Sequence, residues 1–108
     1  MKHVLVAGGA GGVGEGIVRA VLAAGHVVVV PSRSEARLER LRADVPAGAP
    51  GQLVTLTGQI GTIDGAIAIR DRIARDIGRI DALVPCLGGW WEGSLLEVAP
   101  EVWDAVMD

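Results

Sequence analysis

The chain has 108 residues, half of them apolar, a formal charge of −3, one cysteine, and three aromatic residues, all tryptophan. That length suits one domain able to bury a core. The interspersed charge excludes a nucleic-acid backbone as partner, and lone Cys86 excludes an internal disulfide. The longest apolar stretch, residues 20–30, contains His26 and is about half the ~20 residues of a membrane span, so a soluble, cytoplasmic protein is expected.

Residues 4–7, VLVA, read as a strand. Six glycines follow within residues 8–16, and helical spacing then puts Val13, Ile17, Val21 and Ala24 on one face, ended by Gly25. Residues 27–30 are all valine, without alternation, the pattern of a strand buried on both faces. Ser34 is a candidate N-cap for a second helix with Leu38 and Leu41 inward, and residues 46–51, PAGAPG, form a loop. Residues 53–57 are a third strand. Thr62 caps a third helix carrying Ile63, Ile67, Ile73 and Ile77, which Gly78 stops. Residues 82–84 are a short fourth strand, residues 85–93 a loop, and Pro100 opens a last helix. Alternation of strands and helices means an α/β fold with a parallel sheet and right-handed crossovers.

Glycine is costly in regular structure, so six at one strand-to-helix junction need a reason. A tight turn, close approach of backbone to a bulky anion, and close packing of helix on sheet each supply one. The unpaired N–H groups at the helix start suit phosphate, which makes the junction a candidate diphosphate cradle. Spacing leaves the register open, because Gly8, Gly9, Gly11, Gly12 and Gly14 satisfy GxxxGxG, GxGxxG and GxxGxxG alike. A nucleotide-triphosphate loop is excluded: Glu15 and Gly16 stand where Lys and Ser or Thr are required. Neither His3 nor His26 lies near Cys86 in sequence, so neither a nucleophile pair nor a metal set is formed.

The stretches VLVAGGAGGVGEGIV, VVVVPSRSEARL and IGRIDALVPCLGG, in this order, resemble the N-terminal part of the short-chain dehydrogenase/reductase family. The resemblance runs over essentially the whole chain. It implies a Rossmann-like three-layer αβα fold, a four-stranded parallel sheet of order 3-2-1-4, and one NAD(P)-binding domain over residues 1–108. It selects the GxxxGxG register and implies Gly8, Gly11, Gly12, Val13 and Gly14 at the diphosphate. Ser32 falls where the family's NAD-selecting Asp lies, and Arg33 follows. A guanidinium between the Ser32 and Ser34 hydroxyls suits a 2′-phosphate, which favours NADP over NAD. Gln59, beside Ile60, replaces the Asp that meets adenine and can still accept its hydrogen bond. The family's Asn-Asn-Ala-Gly run after the fourth strand is here Pro85, Cys86, Leu87 and Gly88, of which only the glycine agrees, and the resemblance implies Leu87, Gly88 and Gly89 near the cofactor ribose. Trp90 and Trp91 either line a substrate mouth or cover strand ends.

The family's proton donor is a Tyr tuned by a Lys four residues on, with a Ser and an Asn. This chain has no Tyr and no Asn, and its only Lys is Lys2. Two readings follow. The first is the cofactor-binding part of an oxidoreductase acting on a carbonyl/alcohol pair, truncated before the catalytic half and inactive alone. The second is a noncatalytic dinucleotide-binding or structural module. An open edge on the fourth strand leads us to expect a homo-oligomer.

Overall fold

The computed structural model describes residues 1–87 and 96–107. Eight elements alternate along it: β1 (His3–Ala7), α1 (Gly12–Ala23), β2 (Val27–Ser32), α2 (Glu35–Asp44), β3 (Gln52–Thr57), α3 (Ile63–Asp76), β4 (Ala82–Pro85) and α4 (Pro100–Met107). All strand pairings are parallel, in the order β3-β2-β1-β4. This is the α/β architecture and strand order anticipated above.

The sheet carries a core on each face. Val4, Val6, Val28 and Val30 pack against Val18 and Leu22 of α1 and Leu38 and Leu41 of α2. On the opposite face Val29 and Leu56 pack against Ile69 and Ile73 of α3, with Leu5 partly buried beside them. Strand side chains alternate between faces, so the unbroken valine run of β2 feeds both cores at once. Val28, Val29, Val30, Leu22 and Leu38 are inaccessible or nearly so, and each such side chain contributes about 1.5–3 kcal/mol by burial.

Local chemistry sets the helix limits. The Ser34 hydroxyl accepts from the Arg37 amide at 3.3 Å, and the Thr62 hydroxyl from the Gly65 amide at 3.1 Å. At the end of α1 the Gly25 amide donates to the Leu22 carbonyl and the His26 amide to that of Val21, a Schellman closure with Gly25 at φ +88°.

Two helix faces differ from expectation. In α1 the buried positions are Gly14, Val18 and Leu22; of the expected face Ile17 and Val21 are half-buried against the core, whereas Val13 is 79% exposed and Ala24 lies outward. In α3 the expected Ile73 is buried and Ile77 packs against the same core, but Ile69 takes the other inward place, while Ile63 is 81% exposed and Ile67 is also exposed. Both helices carry more apolar residues than one stripe needs, so periodicity alone does not select the stripe that meets the sheet.

Asp81 fastens the two strands that flank the later site. Its carboxylate accepts from the His3 amide at 2.9 Å and pairs with Arg79 at 3.3 Å. The His3 amide foremost, then the Arg79 charge, holds the Asp81 carboxyl below its usual range. A lowered folded-state pKa gives stability that is present above the unfolded value of 3.8 and lost as pH falls through the folded one. Asp81→Asn is therefore expected to melt below the parent at neutral pH. Thermal melts from pH 7 downward should show that gap closing below about pH 4; a gap independent of pH would contradict the assignment.

Candidate functional site

Parallel strands bring all their C-terminal ends to one edge, and each end here contributes a loop to a cavity of about 570 Å³. Its walls are Gly8, Ala10 and Gly11 after β1, residues 31–34 and Arg37 at the end of β2, residues 58–61 after β3, and Cys86 and Leu87 after β4. This volume is in the range of small-molecule and cofactor sites. It lies where the chain, after building outward from β1 through β2 and β3, crosses to the other side of β1. That switch point is where open α/β sheets bind ligands.

The glycine turn forms the floor. Gly8 adopts φ +85°, and a Cβ on it would sit 2.7 Å from the Cys86 carbonyl oxygen. The turn can therefore lie flat on the end of β4. A Cβ on Gly14 would overlap the Gly8 carbonyl, so only glycine lets α1 approach the turn this closely. Gly12 differs: a Cβ there would meet nothing within 4 Å.

The backbone hydrogen bonds of the turn can be accounted for group by group. The Gly9 amide donates to the Val6 carbonyl, Gly11 to Gly8, and Glu15 to Gly11. The amides of Ala10, Gly12, Val13 and Gly14 have no acceptor among the described residues, and Gly11, as N-cap, brings no side chain to them. Four unsatisfied donors at the positive end of a 12-residue helix, beside a cavity, form a fitting receptor for a diphosphate.

At the end of β2 the Ser32 hydroxyl oxygen accepts from the Ser34 amide at 3.1 Å, while the Ser34 hydroxyl oxygen caps α2. Both keep a hydroxyl hydrogen to donate. Arg33 is exposed and has no ion-pair partner among the described residues. Glu35, the first carboxylate of α2 in the chain, is already held by the Thr57 hydroxyl and by Arg42. These two contacts, the Thr57 hydroxyl first, lower the Glu35 pKa.

Of the residues singled out from the sequence, Gly8, Gly11, Ser32, Arg33, Ser34, Gln59, Ile60 and Leu87 line this cavity together. Gly12 lines an adjoining one of about 370 Å³. Val13 and Gly14 line neither. Gly88, Gly89, Trp90 and Trp91 lie outside the described residues. Arg37 and Cys86 are wall residues that sequence reasoning does not place there. The sole sequence signal for Arg37 is its position one helical turn's length of chain after Arg33.

The sequence matches the family described as short chain dehydrogenase over residues 2–108. The chain belongs to the short-chain dehydrogenase family. Within it, the chain is 30% identical over 108 residues to cis-2,3-dihydrobiphenyl-2,3-diol dehydrogenase of Paraburkholderia xenovorans (strain LB400), covering 99% of this chain and 38% of that enzyme. A short-chain dehydrogenase from Bacillus anthracis superposes with a TM-score of 0.84 at 25% identity, over 98% of this chain and 42% of the other. An alcohol dehydrogenase from Thermococcus sibiricus, complexed with 5-hydroxy-NADP, has the same fold at a TM-score of 0.83 and 20% identity, over 99% of this chain and 46% of that one. The chain thus spans about two-fifths of the length of these short-chain dehydrogenases.

Proposed function

We propose that residues 1–108 form an NAD(P)-binding Rossmann-type domain of an oxidoreductase, with NADP favoured over NAD. The reading is carried by the acceptor-free amides of the glycine turn, where Ala10 lines the larger cavity together with Arg33 and Gly12 lines the adjoining one. The diphosphate lies against the amides of the turn, and Gly12 leaves room for it. Arg33, with hydroxyl donors from Ser32 and Ser34, takes the 2′-phosphate. The exposed Gln59 amide oxygen accepts from the adenine amino group, beside Ile60. The ribose on the nicotinamide side runs past Leu87. When bound, the dinucleotide supplies or accepts the hydride exchanged with a carbonyl or alcohol substrate.

The protein's own task here is binding and orientation. With no Tyr anywhere and its only Lys at position 2, the chain lacks the tuned phenol that the family uses as its acid, and it turns over no substrate by itself. Leu83 is 60% exposed on β4, whose only described neighbour is β1, and this apolar edge supports self-association.

Titration calorimetry with NADPH and NADH tests the reading. NADPH should bind more tightly. Arg33→Asp should lower NADPH affinity about tenfold, the equivalent of one charge-assisted hydrogen bond, and leave NADH little changed. Equal affinities in the parent would remove the role of Arg33, and no binding of either would remove the site.

A further inference from the structure

On the face of β3 that α2 covers, Leu53 packs against the core, and strand alternation turns Thr55 and Thr57 the same way. Two hydroxyls thus stand on an edge strand where apolar side chains would extend the core. Charged groups of α2 meet both of them. The Thr57 hydroxyl donates to Glu35 Oε2 at 2.6 Å, and Arg42 donates to the Thr55 hydroxyl oxygen at 2.6 Å. Arg42 also pairs with Glu35 Oε1, which closes a network of four side chains. Glu35 and Arg42, seven positions apart, lie two turns apart on one face of the helix.

This network ends at two walls of the larger cavity. Thr57 immediately precedes residues 58–61, and Glu35 immediately follows residues 31–34, and both segments line that cavity. The Gly58 amide donates to the Ser32 carbonyl at 2.9 Å, which ties the two strand ends. The contact of Thr57 with Glu35 extends that tie to the first turn of α2. From the opposite layer, Arg72 of α3 reaches the Thr57 carbonyl at 3.5 Å, so both helix layers hold the same residue.

We propose that Thr57, gripped by Glu35, is a positioning residue that sets the spacing of these two walls and so the fit of the adenine half of the dinucleotide. The inference rests on the dinucleotide reading above, which puts adenine at Gln59 on one wall and the adenine ribose beside Ser32 on the other. Neither Thr57 nor Glu35 lines the cavity, and each acts through the segment it holds. An isolated exposed ion pair fixes little, because solvent screens it and side-chain entropy opposes it. Here the carboxylate is shared by a hydroxyl and a guanidinium, and the guanidinium by a second hydroxyl, so the four side chains fix one another.

Titration calorimetry of the 108-residue chain with ADP, NADH and NADPH tests this. ADP carries the adenine, ribose and diphosphate that both dinucleotides share. Thr57→Val keeps the β-branched shape and removes the hydroxyl without changing any charge. It should weaken all three ligands about threefold and leave the NADPH to NADH ratio unchanged. Thr57→Ser retains the hydroxyl and should bind each ligand within about 1.5-fold of the parent. Valine is the better strand former, so Thr57→Val should melt no lower than Thr57→Ser. Affinity and stability then run in opposite orders, which a merely structural role would not produce. If Thr57→Val binds all three ligands as the parent does, or if affinity follows the melting order, the positioning role is overturned and the dinucleotide site stands. If the parent binds none of the three, the dinucleotide reading fails and this inference with it.

Discussion

Gly14→Ala is expected to destabilise the fold by about 3 kcal/mol or more, the upper end of what overpacking costs. The added methyl has no flexible neighbour to displace. It would coincide with the backbone carbonyl of Gly8 and approach the Gly9 Cα, and both belong to the turn that seats α1 on the sheet. Relief requires α1 to move outward, which would loosen the packing of Val18 and Leu22 on Val28 and Val30. For a chain of this size such a change lowers the melting temperature by roughly 10–20 °C. Against a typical total of about 5–15 kcal/mol, that is enough to leave a substantial unfolded population near physiological temperature. Differential scanning calorimetry of parent and variant gives the answer directly. A variant that melts within about 2 °C of the parent would mean that α1 does not pack on Gly8 as described.

Gly14 also explains where sequence and structure part. The buried line of α1 begins at a residue with no side chain, so its first member gives no hydrophobic signal. Val13, one position earlier, does give one, yet projects into solvent. The stripe read from the sequence is consequently rotated away from the true one. In α3 the isoleucines form two overlapping series, and the sheet accepts the series at positions 69 and 73. The order and type of all eight elements are legible because strand and helix periods alternate cleanly and Ser34, Thr62, Gly25 and Gly78 punctuate them. Strand order is legible only through the family resemblance, since nothing in periodicity says that β4 returns to the far side of β1.

The candidate site divides in the same manner. Its loop residues are legible, because the C-terminal ends of parallel strands must converge and the glycine turn marks which end binds. Arg37 does not stand out in this way. On the sequence it is one charge among several on a solvated helix, and only its place in the cavity wall sets it apart. Both sequence readings of Ser34 meet in one residue, whose hydroxyl caps α2 and which lines the cavity.

Gly12→Ala should behave in the opposite way to Gly14→Ala, although the two glycines lie two residues apart in one helix turn. Nothing in the protein occupies the space that a Cβ at position 12 would enter. Alanine is also the better helix former, by about 1 kcal/mol in a helix interior and less at a first-turn position. The variant should accordingly melt at or slightly above the parent temperature. Its cofactor affinity should nevertheless fall roughly 10–100-fold, the equivalent of one charge-assisted amide hydrogen bond of about 1.5–3 kcal/mol. On the proposed reading the methyl would stand where the diphosphate approaches the Gly12 and Val13 amides, both of which lack an acceptor among the described residues. Both nucleotides should suffer equally, because the diphosphate is common to NADPH and NADH, and this separates the effect from that of Arg33→Asp. Glycine at position 14 is then required by the fold and glycine at position 12 by the ligand. Stable protein with undiminished nucleotide binding in Gly12→Ala would show that the diphosphate does not sit on this turn.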